Sequence, residues 1–269
     1  MLQKAKSRKF EKNGFLFKKE CRIYKNPLTL GRGRRYVAGM FFEMTLYIYI
    51  RMVDLKDIIN KGITPVLRQA GFKTNGQNFH RQIGEVDWCI NIQKYRRRSD
   101  ERPNGLLFTV NAGVTFEEYH EIFYSTQGVP TENCCPLRAR PGQFIWNGNP
   151  WFSFRMLLYS IGSWSGFKGR EDWWFMLCPH KNPKRLLSAV NLLLSKGILP
   201  EMQRFKTKMD LLGYIENGKT RPFEVRPRNI VRLVLLKSIG MRKEADVLEA
   251  ELNQNPRNEN IVRRINAVL

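Results

Sequence analysis

The sequence predicts an α+β domain in which an antiparallel sheet meander is covered by an N-terminal helix and a C-terminal group of helices. Three patterns carry this prediction: a helical apolar stripe from about residue 53, two later segments of alternating apolar and polar residues, and long helical stripes after residue 182. With 269 residues, 42% of them hydrophobic, the chain can bury such a core.

The first 51 residues differ from the rest in charge and pattern. They hold 13 Lys and Arg against 3 Asp and Glu, which is +10 of the formal net charge of +22. They show no sustained period of a helix or strand. We therefore expect residues 1–51 to be a basic leader or a poorly ordered arm, with the natural start at Met52. The alternative is an arm that grips nucleic acid or an acidic membrane.

The first helix is predicted over residues 53–70, where apolar residues recur at helical spacing from Leu55 to Ala70. Asp54 suits the N-cap, and Gly71 suits the position after the helix. Pro65 inside the pattern predicts a bend near Gly62 or two short helices placed end to end.

Three strands should follow, at residues 78–83, 86–95 and 106–114. In the second, Val86, Trp88, Ile90 and Ile92 should face the core. In the third, the inward residues should be Leu106, Phe108, Val110, Ala112 and Val114.

Residues 115–178 are less regular. We expect strands at 143–147 and 151–159, and an edge of the core closed by Trp173, Trp174 and Phe175. Helices are predicted at 183–198, 201–214, 227–239, 241–253 and 258–269. Residues 52–218 thus form the α+β domain and residues 219–269 a helical extension.

Composition argues against several classes of protein. The five cysteines form no CxxC pair, and the three histidines lack ligand spacing, so we expect neither a disulfide scaffold nor a zinc site. Reduced thiols suit a cytoplasmic protein. The apolar run at residues 40–50 is far shorter than the ~20 residues that span a bilayer. No phosphate-binding loop or HExxH motif is present, so no cofactor or metal is expected.

The most promising candidate site is a row of polar side chains on the outer sheet face, namely Asn91, Gln93, Thr109 and Asn111. Amides and a hydroxyl on one rigid face can hold a polar ligand or a peptide, with Arg96, Arg138 and Arg140 nearby. The same row could instead be a solvent face, or a polar layer bonded to the backbone of a covering loop.

Two enzymatic readings are open but less favoured. Cys134 or Cys135 with His120 or His80 could form a nucleophile and base, although ordinary core cysteines explain them better. The acidic residues could act in acid–base or metal chemistry, although such clusters are usually a solvated helix face. These acidic residues are Asp87, Glu117, Glu118 and Glu121.

Several motifs together resemble a known family. They are Gly71-Phe72-Lys73, residues 91–94 (Asn-Ile-Gln-Lys), residues 108–114 (Phe-Thr-Val-Asn-Ala-Gly-Val), the Arg-rich turn at 135–142, and Asp172-Trp173-Trp174. Over residues 52–218 the chain resembles the domain-of-unknown-function 4304 family, which is uncharacterised and mostly bacterial. Residues 143–168 depart from the family pattern by expansion. The resemblance supplies no reaction.

We therefore expect a non-enzymatic binding module that holds a protein partner or polar ligand on its polar sheet face and Arg-rich turn. An immunity-like or accessory role would suit such a module. The first alternative is a basic protein associated with nucleic acid, and the second is an enzyme that uses carboxylates or a cysteine.

Overall fold

The computed structural model describes residues 54–95, 106–124, 128–147, 150–163, 167–168, 172–177, 183–218 and 222–269. All of them belong to one unit, Leu46–Leu269. The predictions for residues 1–51 and for Arg96 lie outside these ranges.

An antiparallel sheet forms the centre of the fold, as the alternating segments predict. Its strands are β1 (Lys73–Asn75), β2 (Asn78–Ile83), β3 (Val86–Lys94), β4 (Leu106–Thr115), β5 (Leu137–Ala139), β8 (Phe175–Leu177) and β9 (Glu224–Val225). The order is β1-β2-β3-β4-β5-β9, and β8 pairs with the first half of β4 while β5 pairs with its second half. A separate short ribbon pairs β6 (Phe167–Lys168) with β7 (Asp172–Trp173).

The inner face of the sheet is apolar because its strands alternate with a period of two. The predicted inward residues of β3 and β4 are buried, apart from half-buried Leu106 at the start of β4. At the edge, Phe175 of β8 stacks on Phe108 at 5.5 Å between ring centroids, as expected for the Trp173–Phe175 segment.

The N-terminal helix contains a π-helical turn. Helix α1 (Leu55–Ile58) and helix α2 (Thr64–Gln69) are joined by the π turn Ile59–Ile63, which ends just before the Thr64-Pro65 pair. In this turn the Thr64 N–H donates to the carbonyl five residues back, at Ile59. Gly71 follows with φ of +84°, as its predicted place after the helix requires.

The same device occurs a second time. Helix α6 (Pro183–Leu193) continues through the π turn Leu194–Ile198 into helix α7 (Leu199–Met202). Both π turns end in Lys-Gly-Ile and are followed, after one residue, by proline. Helix α6 packs against the first π turn, where a Cβ on Gly62 would lie 2.1 Å from a methyl carbon of Leu187.

The strands predicted at residues 143–147 and 151–159 are wrong. The structure has helix α4 (Pro141–Asn147) and helix α5 (Pro150–Ser163) instead. Each helix begins at a proline, which is favoured at the first helical position. Phe152 and Met156, four residues apart, are both buried, and that is a helical rather than a strand spacing.

The C-terminal helices mostly follow the predicted stripes. Helices α9 (Arg228–Ser238), α10 (Arg242–Asn253) and α11 (Glu259–Val268) match them closely. The helix predicted at residues 201–214 is interrupted, because Thr207 starts α8 (Lys208–Glu216) with a capping box to Asp210. Helix α11 returns to helix α3 (Glu117–Tyr124), where Arg264 donates to the carbonyl of Ile122.

Within the described ranges, no helix has both the length and the apolar character needed to cross a membrane.

Candidate functional site

The four polar residues of the predicted row lie together on one face of strands β3 and β4. Asn91 is directly opposite Asn111, and Gln93 is directly opposite Thr109. Asn78 of β2 extends the row, since it is the partner of Asn91 in the register.

Hydrogen bonds within the protein use much of this row. The Asn111 amide donates to Gln93 Oε1 at 2.8 Å, and the Asn91 amide donates to Asn78 Oδ1 at 2.7 Å. The Thr109 hydroxyl donates to the Trp173 carbonyl at 2.9 Å. Thr109 and Asn111 are buried while Gln93 is exposed. The row is therefore a partly internal polar layer with one open end.

The Arg-rich turn faces the same side of the sheet. Arg138 is opposite Gly113 of β4, which shares its face with Thr109 and Asn111. The Arg138 Nε donates to Glu132 Oε1 at 2.7 Å, and its Nη2 donates to Asn133 Oδ1 at 3.3 Å. The structure thus joins Arg138 to an acidic residue that the sequence did not single out.

Glu132 is held in place by a short turn that crosses the outer face of the sheet. The 3-10 turn Glu132–Cys134 leads into Cys135, which sits directly over Gly113. A Cβ on Gly113 would lie only 2.7 Å from both the Cβ and the Sγ of Cys135. The absence of a side chain at residue 113 therefore lets this turn approach the sheet and bury Glu132.

Glu132 is 3% exposed and half satisfied. Its Oε1 binds Arg138, but within the described part of the chain no donor reaches its buried Oε2. Buried carboxylate oxygens normally find a partner. Burial alone would lower the pKa of the Arg138 guanidinium, but the hydrogen bond to Glu132 and its charge raise that pKa above the ordinary value. The Arg138 guanidinium is therefore held in its charged form.

A cleft of about 270 Å³ opens beside this pair. Arg140, Gln143, Glu224 and Arg226 line its other side. Gln143 accepts from the Arg140 backbone N–H at 2.7 Å and donates to Glu224 at 3.0 Å. Glu224 also pairs with Arg226 at 2.7 Å. Three guanidinium groups and two carboxylates thus surround a small space. We call it the Arg138 cleft.

The surroundings of Cys135 fit the favoured interpretation of an ordinary core cysteine. Cys135 interacts with Cys89, and burial, followed by this interaction, raises the pKa of the Cys135 thiol well above its ordinary value. The Cys135 thiol donates to the Thr131 carbonyl at 3.4 Å. A thiol that keeps its proton is a poor nucleophile.

Several of the predicted acidic residues meet in a second, larger cleft. His80, Asp87, Glu117, His120 and Glu121 line a space of about 1040 Å³. Here His80 Nε2 lies 2.6 Å from Asp87 Oδ1. Glu118 is elsewhere, in an ion pair with Lys208. Among the residues that the structure describes, no group of three or more His, Cys, Asp or Glu side chains is placed to hold a metal ion.

Sequence reasoning missed Glu132, Gln143, Glu224 and Arg226. Glu224 lies in β9 and Arg226 directly follows that strand, more than 80 residues after Arg138. Both reach the cleft because β9 pairs with β5 and the Arg226 N–H donates to the Pro136 carbonyl. Glu132 stands in a loop without periodicity, so no pattern marks it as buried. The one feature of the sequence that could have linked Glu132 to Arg138 is its position six residues earlier.

Comparison with known protein families decides the affiliation of this chain. A family model described as "Domain of unknown function (DUF4304)" matches residues 63–204, just over half of the 269 residues. The chain belongs to this family. No curated protein and no solved structure matches it. The DUF4304 match confirms the predicted resemblance over a shorter segment. It includes Glu132 and Arg138 of the cleft but ends before Glu224 and Arg226.

Proposed function

We propose that this member of the DUF4304 family is a non-enzymatic binding module that holds a protein partner by one acidic group in the Arg138 cleft. The proposal is carried by the half-satisfied Glu132 side chain beside Arg138. Glu132 Oε2 is covered in the free protein, so an occupant would complete the site if a small shift of the Glu132 turn let its donor reach this oxygen.

The size of the cleft favours a protein over a free small molecule. Small-molecule sites usually measure roughly 300–1,000 Å³, and the Arg138 cleft is below that range at about 270 Å³. It can receive one side chain or a chain terminus. A peptide residue with a carboxylate offers both required groups, since its carboxylate suits the guanidinium groups and its backbone N–H suits Glu132.

The neighbouring polar row supports an extended contact. Gln93 is the exposed end of that row on the face to which Arg138 belongs. Amide groups at such a position can bond to the backbone of a bound segment. Arg96, which lies outside the described residues, stays in the proposal on sequence grounds alone. The overall charge of +22 would speed association with an acidic partner.

Binding of acidic peptides tests this proposal. An array of acidic peptides is probed with the wild-type chain, and the best binder is titrated by fluorescence anisotropy. Arg138→Gln should weaken binding by about tenfold to a hundredfold, because a charge-assisted hydrogen bond is lost. Glu132→Gln should weaken it by about tenfold. Arg242→Gln, an exposed arginine on α10, is the matched control and should change little.

Two results would count against the proposal. Equal loss in the Arg242 control would show that only net charge matters. Binding of nucleic acid with a steep salt dependence, together with indifference to Arg138→Gln, would favour the nucleic-acid alternative.

The enzymatic alternative has a definite location in the larger cleft. The short contact between His80 and Asp87 orients an imidazole toward a space of about 1040 Å³ that Glu117 and Glu121 also line. Such a pair can serve as a general base. Hydrolytic activity of the chain that His80→Gln abolishes, while Arg138→Gln leaves it intact, would establish this reading over the binding module.

A further inference from the structure

Helix α5 is apolar on both sides. Phe152 and Met156 are buried in the core, whereas Trp151 is 64% exposed and Leu158 is 53% exposed. Phe154 and Leu157 are also exposed, and the rings of Trp151 and Phe154 stack at 5.7 Å. From ordinary side-chain areas, these four residues present on the order of 400 Å² of apolar surface, a size that in soluble proteins usually marks an interaction site.

Two cations adjoin this apolar surface. Arg155 follows Trp151 by four residues and precedes Leu158 by three, so the three share one face of the helix. Arg155 and Arg185, with Leu158 and Tyr159, line a pocket of about 390 Å³. Neither arginine forms an ion pair or hydrogen bond with any other residue that the structure describes.

The surrounding sequence is poor in acidic residues. Between residues 133 and 200 there are nine Lys and Arg but only two acidic residues, at positions 171 and 172. Arg155 and Arg185 lie next to the exposed Leu158, and few acidic residues of this stretch balance their charge. An occupant that is apolar in one layer and anionic in the next would complement this surface. A phospholipid surface has this arrangement.

We propose that helix α5 docks on an anionic phospholipid bilayer, with a lipid phosphate between Arg155 and Arg185. Trp151, Phe154 and Leu158 would enter the interface between head groups and acyl chains, as in other interfacial helices. Guanidinium groups bind phosphate through paired N–H donors. This surface is separate from the Arg138 cleft, and the proposal does not depend on the function proposed for that cleft.

Sedimentation of the full chain with vesicles tests the proposal. One vesicle sample is phosphatidylcholine mixed with phosphatidylserine, and the other is phosphatidylcholine alone. We expect binding to the anionic vesicles, and at least tenfold weaker binding after Trp151→Ser with Phe154→Ser. Arg155→Gln should weaken it by about fivefold, the effect of one cation near such a surface.

Two control variants separate this site from general properties of the chain. Val247→Ser removes an apolar residue that is 72% exposed on α10, and Arg242→Gln removes one exposed cation there. Both should bind vesicles like the wild type. If the α5 variants and the control variants bind the anionic vesicles equally well, the binding is due to the basic residues 1–51, and the proposal is overturned.

Two further outcomes would also overturn it. One is failure of the wild-type chain to bind anionic vesicles. The other is self-association in sedimentation velocity that is lost in the Trp151 and Phe154 variant without any vesicle binding, since the occupant of the surface would then be a second copy of the chain.

Discussion

The ion pair of Glu132 with Arg138 should be worth more than an exposed pair of the same chemistry. Removing one partner of a fully buried pair costs about 3–5 kcal/mol, because the other charge is left buried. Glu132 is buried, but the Arg138 side chain is 46% exposed, so water can partly replace the guanidinium. We therefore expect Arg138→Ala to lower the free energy of unfolding by about 2 kcal/mol.

A double-mutant cycle measures this directly. In Glu132→Gln the amide oxygen can still accept from Arg138 without a charge, and in the double variant with Arg138→Ala no carboxylate is left buried. The cycle should yield a coupling of roughly 1–2 kcal/mol in urea unfolding.

The control is a second cycle within the same chain. Glu259 and Arg263 form an ion pair at 3.0 Å on the surface of α11, with both side chains exposed. Their coupling should be about 0.3–0.5 kcal/mol. Equal coupling in the two cycles would refute the reasoning, because it would mean that Glu132 is hydrated and the turn above Gly113 is open.

Two further predictions concern packing and pH. Gly113→Ala should lower the free energy of unfolding by about 1–3 kcal/mol through the clash with Cys135, whereas Gly128→Ala, with nothing within 4 Å of the new Cβ, should leave thermal unfolding nearly unchanged. The Tyr214 hydroxyl donates to the Phe223 carbonyl, and burial raises the pKa of Tyr214 from 10.0 to about 12. Because this pKa is higher in the folded state, the stability it contributes is complete below pH 10 and declines as pH rises toward about 12. Tyr214→Phe should make that decline in urea unfolding shallower, and an unchanged pH profile would contradict the assignment.

Elements with a strong period were predictable from the sequence. The alternation in β3 and β4 identified their inward residues. It also put Asn91 and Asn111 on the same outer face, and in the structure the two are directly opposite each other. The stripes of α9, α10 and α11 were equally clear. These elements bury one face against a continuous core, so their pattern reports their environment directly.

The segment at residues 141–163 shows where periodicity fails. Its aromatic and β-branched residues resemble strands, and α5 has apolar residues on both its buried and its exposed side. A helix that is apolar all round lacks the amphipathic signal. The prolines at 141 and 150 were the better guide, since both mark helix starts.

The candidate site was predictable only on its sheet side. Arg138 was singled out from its basic turn, but its partner Glu132 depends on Gly113, and the far wall of the cleft depends on the pairing of β9 with β5. Short strands such as β5 and β9 leave almost no periodic signal. Their place follows from tertiary packing, which a single sequence does not display.

In each of the two π turns, one extra residue in the helical turn accompanies a proline that follows it. A proline in the interior of a regular helix costs about 3 kcal/mol, because its ring clashes with the carbonyl four residues earlier. The wide turns before Pro65 and Pro200 relieve this conflict. Deleting one residue from a turn would restore a regular helix in which the proline clashes. Replacing the proline alone would leave a wide turn that no longer relieves a clash. The deletion alone should therefore lower the stability of the fold, and the proline replacement alone should bring no gain. In descendants of this sequence we expect the extra residue and the proline to be lost together.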